Sequence, residues 1–210
     1  HNCNFLYNFV QEVAIMDTLQ IFRILEDTDK NIFTTQDLKK ILEVQNTNTL
    51  YKTVERLIRK NILVRITKGI YFVSTKTPDE FEIATFLKRP SYVSLESALN
   101  FYGILIQSPY QIISVTPKRG GEIIFKDKEF LFYHILPEYF WGYKKMNNFL
   151  IAEPEKAIID EIYFESKGRE TIDFKECDLS SINRKKLKEY AKKVDWLPFH
   201  KLFRKIFYDY

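Results

Sequence analysis

Residues 47–73 constrain the fold more than any other stretch, because they encode one helix followed at once by a two-stranded hairpin. In TNTLYKTVERLIRKN, Leu50, Val54, Leu57 and Ile58 recur at i, i+4, i+7 and i+8, an apolar face that requires burial. Thr49, Lys52, Thr53, Arg56 and Lys60 recur at i, i+3, i+4, i+7 and i+11, a second face of polar and cationic groups. The apolar run ILVRI, the turn TKG and the return IYFV then predict a hairpin. A cationic helix face beside a basic hairpin is the arrangement of the recognition helix and wing in a winged helix-turn-helix.

The residues upstream complete such a unit. Thr34 or Thr35 caps a short helix with Leu38, Ile41 and Leu42 inward, and Asp37 in its first turn is favoured by the helix dipole. Residues 43–46 form the turn into the next helix, and Ile21, Ile24 and Leu25 supply the buried stripe of a first helix starting near Asp17. Three helices and a hairpin in about sixty residues make a small but complete core.

Charge divides the chain more sharply than its overall balance of +4 suggests. Residues 48–68 carry Lys52, Arg56, Arg59, Lys60, Arg65 and Lys68 against the single acid Glu55, a local +5. Residues 76–178 hold 13 Lys/Arg against 17 Asp/Glu, a net of −4, and residues 179–205 hold nine cations against Glu189 and Asp195, a net of +7. A local +5 on a helix-hairpin pattern fits phosphate contact. The expected DNA-binding residues are Asn48, Thr49, Lys52, Thr53, Arg56, Arg59 and Lys60 on the helix, with Arg65 and Lys68 on the hairpin. The bland alternative is a solvated face.

At 210 residues, with 45% hydrophobic and 16% aromatic content, the chain can build one or two packed domains. Cys3 and Cys177 lie far apart in no metal or CxxC pattern, which suits a reducing, cytoplasmic interior. No apolar run approaches the roughly 20 residues that span a bilayer, so no membrane partner is expected. Residues 1–15 begin without Met, and Met16 stands where a start could lie. Phe5, Leu6, Phe9, Val10 and Val13 would line one helical face, so an extra helix and added sequence both fit. The segment lacks the basic start and long apolar core of a secretory signal.

A boundary is predicted in residues 74–79, STKTPD. Beyond it a short helix is expected near 79–88, then one capped by Ser94 with Leu95, Ala98 and Leu99 inward and Gly103 at its end. Strands follow at 110–116, 122–125, 129–135 and 149–152, with turns at Gly120-Gly121 and 126–128. Pro154 suits the first position of a further helix, along which Ala157, Ile158, Glu161 and Ile162 space a mixed face. The predicted fold class is therefore α+β: a winged helix-turn-helix over 16–75, then a mixed domain over 79–210 with a small, mainly antiparallel sheet and packed helices.

The C-terminal stretch predicts two basic helices. Ser180 or Ser181 would cap the first, with Leu187, Tyr190, Ala191 and Val194 buried; Leu202, Phe203, Ile206 and Phe207 form the stripe of the second. Lys118, Arg119, Arg184, Lys185, Lys188 and Lys192 form a candidate second basic surface, for DNA backbone, RNA or an acidic partner if they are more than solvated charge.

Enzyme signatures are weak. The six glycines make neither a Walker loop nor GxGxxG, no GxSxG occurs, and His1, His134 and His200 have no ligand-like spacing, so no cofactor or metal is expected. Asp173-Phe174-Lys175 and Glu165-Ser166-Lys167 mimic half of a metal-dependent nuclease site, a pattern common in any chain this charged.

The succession KGIYFV, SYVSLESALNFYGI, VTPKR and IAEPEKAIID, over roughly residues 17–164, resembles the AbiEi family of bacterial antitoxin/transcriptional regulators. The resemblance implies a partner gene for a nucleotidyltransferase-like toxin in an abortive-infection (phage-defence) system. It also implies an N-terminal winged helix that represses the shared promoter by binding inverted repeats as two copies, and a C-terminal domain that neutralises the toxin, commonly without a stable complex (type IV). By position, residues 48–60 would be the recognition helix and 65–68 the wing, while 92–99 and 153–160 fall in the antitoxin domain without assigned roles. The alternatives are a one-component regulator with a ligand-sensing second domain, or a protein-interaction module whose winged helix does not bind DNA.

Overall fold

The structure is a computed structural model that describes residues 17–169 and 172–208. The amphipathic segment expected at 1–15 lies outside the described residues. The chain is α+β and divides into two compact units between Pro78 and Asp79, within the polar stretch 74–79.

In the first unit α1 (Thr18–Glu26) follows Asp17, whose backbone N–H donates to Gln20 Oε1 at 3.2 Å. β1 (Ile32–Thr34) leads directly into α2 (Thr35–Ile41). Thr34 and Asp37 cap α2 reciprocally: the Asp37 N–H donates to Thr34 Oγ1 at 3.1 Å and the Thr34 N–H to Asp37 Oδ2 at 2.9 Å. Burial opposes ionisation of Asp37, but hydrogen bonds from Lys30 and Thr34 outweigh it and hold the carboxyl below its ordinary value. α3 (Thr47–Arg59) and the hairpin β2 (Leu63–Thr67) and β3 (Ile70–Val73) complete the unit. β1 pairs antiparallel with β3, which makes a three-stranded sheet in the order β1-β3-β2. Three residues are too short to show period two, so β1 was invisible to pattern. Ile21, Leu25, Phe33, Leu38, Leu50, Val54, Leu57 and Val73 share one core, where truncating a residue such as Leu57 to Ala costs about 2–5 kcal/mol.

The second unit builds a six-stranded sheet in the order β6-β7-β5-β4-β9-β8. Its strands are β4 (Tyr92–Val93), β5 (Ile112–Thr116), β6 (Gly121–Phe125), β7 (Lys128–His134), β8 (Tyr143–Met146) and β9 (Phe149–Ala152). The sheet is mainly antiparallel, through β4-β5, β6-β7 and β8-β9, but β5 pairs parallel with β7 and β4 parallel with β9. The hairpin β6-β7 folds β6 to the outer edge, which sets β7 beside β5 in the same direction. β5 is buried along its whole length, as its central place demands. Two strands lie outside those expected from sequence: β4 is only two residues long, whereas β8 has a local signal in the Asn147-Asn148 turn, with Asn147 at φ 49°.

Helices α4 (Glu80–Leu87), α5 (Leu95–Phe101), α6 (Pro154–Glu165), α7 (Arg184–Ala191) and α8 (Leu197–Phe207) accompany this sheet. α6 carries Pro154 in its first turn and is buried from Glu155 to Phe164, so the expected mixed face is in fact burial on every side. Asn183 caps α7, accepting from the N–H groups of Lys185 and Lys186 at 3.1 Å each; Ser180 and Ser181 lie too far upstream to do so. Among the described residues no helix is long and apolar enough to cross a membrane.

Candidate nucleic-acid interface

Asn46 starts α3 by accepting the N–H groups of Asn48 and Thr49 at 2.8 and 3.3 Å. Leu50, Val54 and Leu57 anchor the helix, which turns Asn48, Thr49, Lys52, Arg59 and Lys60 to solvent and leaves Thr53 and Arg56 half-buried. At about 100° per residue, Asn48, Lys52 and Arg59 fall within a sector of about 40° opposite the buried stripe. Arg59, absent from the polar face read by spacing, is thus central to the exposed one.

Two predicted residues are placed differently from expectation. Lys60 donates from Nζ to Thr18 Oγ1 at 3.1 Å, so its ammonium is drawn toward α1 instead of projecting from the exposed sector. Arg56 lies along the helix surface with its Nε shielded and without a hydrogen-bond acceptor. Its stem contributes packing as well as charge.

The hairpin presents Arg65 on β2 and Lys68 in the turn, both exposed. The register matches Arg65 with Tyr71, and the Arg65 guanidinium lies 5.7 Å from the Tyr71 ring centroid. Gly69 adopts φ +82°, and a Cβ there would meet Thr35 Oγ1 at 3.1 Å, so glycine fits the tip for two reasons. The Thr35 N–H donates to the Gly69 carbonyl at 2.9 Å and ties the turn to the start of α2. Lys68 therefore sits on an anchored turn.

The six residues of the candidate second basic surface are all exposed and come from a loop and from α7. Lys118 and Arg119 occupy the loop between β5 and β6, where the Arg119 carbonyl accepts from Lys88 Nζ at 2.8 Å. Arg184 and Lys185 open α7. Lys188 and Lys192 line a groove with Arg204 of α8, a cation that spacing within α7 could not reveal.

The segments SYVSLESAL and EPEKAIID, far apart in sequence, join in a buried polar core. Asp160 Oδ2 accepts from Ser94 Oγ at 2.7 Å and from the Tyr92 hydroxyl at 3.1 Å, while Lys156 Nζ pairs with Asp160 Oδ1. All four side chains are essentially solvent-free. Burial pushes the Asp160 carboxyl up and the Lys156 ammonium down, and their mutual attraction opposes both shifts. Gly142, at φ +73°, lies against Lys156, where a Cβ would come within 3.0–3.1 Å of three stem carbons. Ser94 stands at the α5 N-cap position but makes no capping bond, because its hydroxyl is committed to Asp160. Ser97 Oγ accepts the Ile113 N–H at 2.9 Å and holds α5 to β5.

Two flanking clusters extend this core. Arg169 bridges Glu96 at 2.6 Å and Glu161 at 3.2 Å, and Glu161 Oε1 is buried without a hydrogen bond. Burial, then the neighbouring Glu96 carboxylate, hold Glu161 well above its ordinary value despite Arg169. Lys186 of α7 reaches Glu153 at 3.0 Å and Glu155 at 3.3 Å, and the Tyr190 hydroxyl donates to Glu153. Burial opposes Glu153 ionisation, but those bonds prevail and keep its carboxyl below the usual range.

The residues of the nuclease-like triplets have structural duties. Asp173 Oδ1 accepts the Lys175 N–H at 2.9 Å to start a short 3-10 turn, and Ser166 Oγ donates to the Tyr163 carbonyl at 2.7 Å. Cys177 is half-buried, and burial pushes its thiol up to about 11, away from the reactive thiolate.

A comparison with known proteins found no matching family model and no match among curated proteins.

Proposed function

We propose that the chain is a DNA-binding transcriptional autorepressor whose first unit works as a winged helix-turn-helix. The observation that carries this reading is the exposed sector of α3, where Asn48, Lys52 and Arg59 lie together opposite the core, with Lys68 exposed on the turn of the hairpin that follows in the chain. Arg59 can bond a guanine edge bidentately, Asn48 an adenine edge, and Thr49 can touch a thymine methyl in the major groove. Lys68 and Arg65 suit phosphates or the adjacent minor groove, contacts that set register without reading sequence.

The order of segments that resembles AbiEi antitoxins extends the proposal. In this reading the protein is cytoplasmic, needs no cofactor, and binds inverted repeats as two copies. Its second unit opposes a co-encoded nucleotidyltransferase-like toxin without catalysing a reaction itself. The polar core of that unit supports a rigid recognition surface, since Ser94 and Asp160 tie the start of α5 to α6 and Lys186 ties α7 to Glu155 of α6.

Gel-shift titration of the full chain on its own promoter tests the DNA role, and growth rescue on co-expression with the neighbouring toxin tests the antitoxin role. Salt-sensitive, promoter-selective binding is expected. Equal affinity for unrelated duplexes would reject specific repression, and failure to rescue growth would leave a simple regulator.

A further inference from the structure

A groove of about 450 Å³ opens between α7 and α8 of the second unit. Lys188, Ala191 and Lys192 line one wall at i, i+3 and i+4; His200, Phe203 and Arg204 line the other at the same spacing, and Tyr208 closes one end. All three charged lining residues are cations, and residues 179–205 carry the net +7 of the C-terminal stretch. An acidic ligand is therefore matched electrostatically.

The groove also offers a ring for stacking. Phe203 is buried and stacks on Phe199 with ring centroids 5.8 Å apart, which makes a rigid floor. Tyr208 packs on Phe203 at 6.3 Å yet remains 53% exposed, with Lys188 Nζ 5.2 Å from its ring centroid. His200 Nε2 donates to the Val194 carbonyl at 2.7 Å, which fixes the imidazole plane in the wall. A ligand that is both anionic and planar uses the cations and the exposed ring together. Acidic peptides satisfy only the charge, and a B-form duplex keeps its bases stacked away from a side-chain ring.

We infer that the α7–α8 groove binds single-stranded nucleic acid, with phosphates on Lys188, Lys192 and Arg204 and a base stacked on Tyr208. Its volume suits one or two nucleotides, so the site holds an end or a flipped-out segment and not a long tract. The six-cation helix-hairpin region and this groove would then serve duplex and unpaired strands separately.

Fluorescence anisotropy of the full chain with labelled 12-mers of single-stranded DNA and RNA, a duplex of equal length, and a poly-glutamate peptide tests the inference. Lys188→Gln/Lys192→Gln/Arg204→Gln should weaken single-strand binding at least about tenfold and flatten its salt dependence by about two ions. Duplex affinity should change less than about twofold. Tyr208→Ala should cost roughly tenfold on single strands while Tyr208→Phe retains binding. These are surface positions, and an unchanged thermal melt certifies the fold of each variant. No single-strand binding, an equal loss on duplex, poly-glutamate binding as tight as the oligonucleotides, or indifference to Tyr208→Ala would each overturn the assignment. Loss of duplex binding in Lys52→Gln/Arg59→Gln with single-strand binding intact would support it and separate it from the α3 reading.

Discussion

The Ser94 hydroxyl donates to Asp160 Oδ2 across 2.7 Å, and neither residue has measurable solvent exposure. One hydrogen bond thus joins the start of α5 to the middle of α6 over 66 residues of sequence. Ser94→Ala should leave that carboxylate short of a donor and cost about 1–3 kcal/mol in urea unfolding. Trp141 and Trp196, the chain's two tryptophans, both lie in the second unit, so their fluorescence reports its unfolding alone. A loss below about 0.5 kcal/mol, the size of an ordinary surface change, would show the bond to be energetically idle.

Lys156 and Asp160 test whether the buried pair acts as a unit. Lys156→Met removes the cation and leaves Asp160 charged or newly protonated in a dry site, at a cost of about 3–5 kcal/mol. Adding Asp160→Asn should recover part of that loss, because the amide needs no counter-charge and still accepts from Ser94 and Tyr92. Strictly additive losses in the double variant would rule out coupling.

Glu161 sets a pH dependence. Burial first, and the Glu96 carboxylate second, raise its folded value above the unfolded one, so its neutral form is favoured in the native state. Its contribution is complete below the unfolded value near 4.5 and is withdrawn as pH rises through the folded value. Glu161→Gln should therefore flatten the decline in stability above about pH 4.5, read as the urea midpoint followed by tryptophan fluorescence. A decline of unchanged steepness would place its origin elsewhere.

On the promoter, Lys52→Ala and Arg59→Ala should each cost about 1–3 kcal/mol and relax sequence preference. Arg56→Ala should cost a similar amount, part of it through lost packing of the stem. Lys60→Ala should cost less than either exposed-sector change, since its ammonium is engaged with Thr18. Lys68→Ala should weaken all sequences alike and lower the salt slope by about one ion. Gel shifts across salt concentrations measure all five variants, and a larger loss for Lys60 than for Lys52 would invert the assigned geometry.

Local chemistry sufficed for the elements whose signals lie within one turn or one alternation. The i, i+4, i+7 stripe of α3, a threonine cap at 34 or 35, the glycine of the first hairpin and Pro154 at the head of α6 are all legible, because each requirement is met by neighbours in the chain. Pairing partners are not. β1 and β4 gain their strand character only from β3, β5 and β9, and the parallel β5-β7 register arises from where the β6-β7 hairpin folds. Spacing alone placed Lys60 with Lys52, whereas Thr18 in another helix redirects it. The spacing of α6 shows only a mixed face, and its burial on every side depends on Tyr92, Ser94 and Arg169 arriving from distant segments to meet Asp160 and Glu161. Sequence specified where backbone hydrogen bonds close locally, and tertiary packing decided which charges stay in water, because the cost of burying a charge depends on partners that only the folded chain brings within reach.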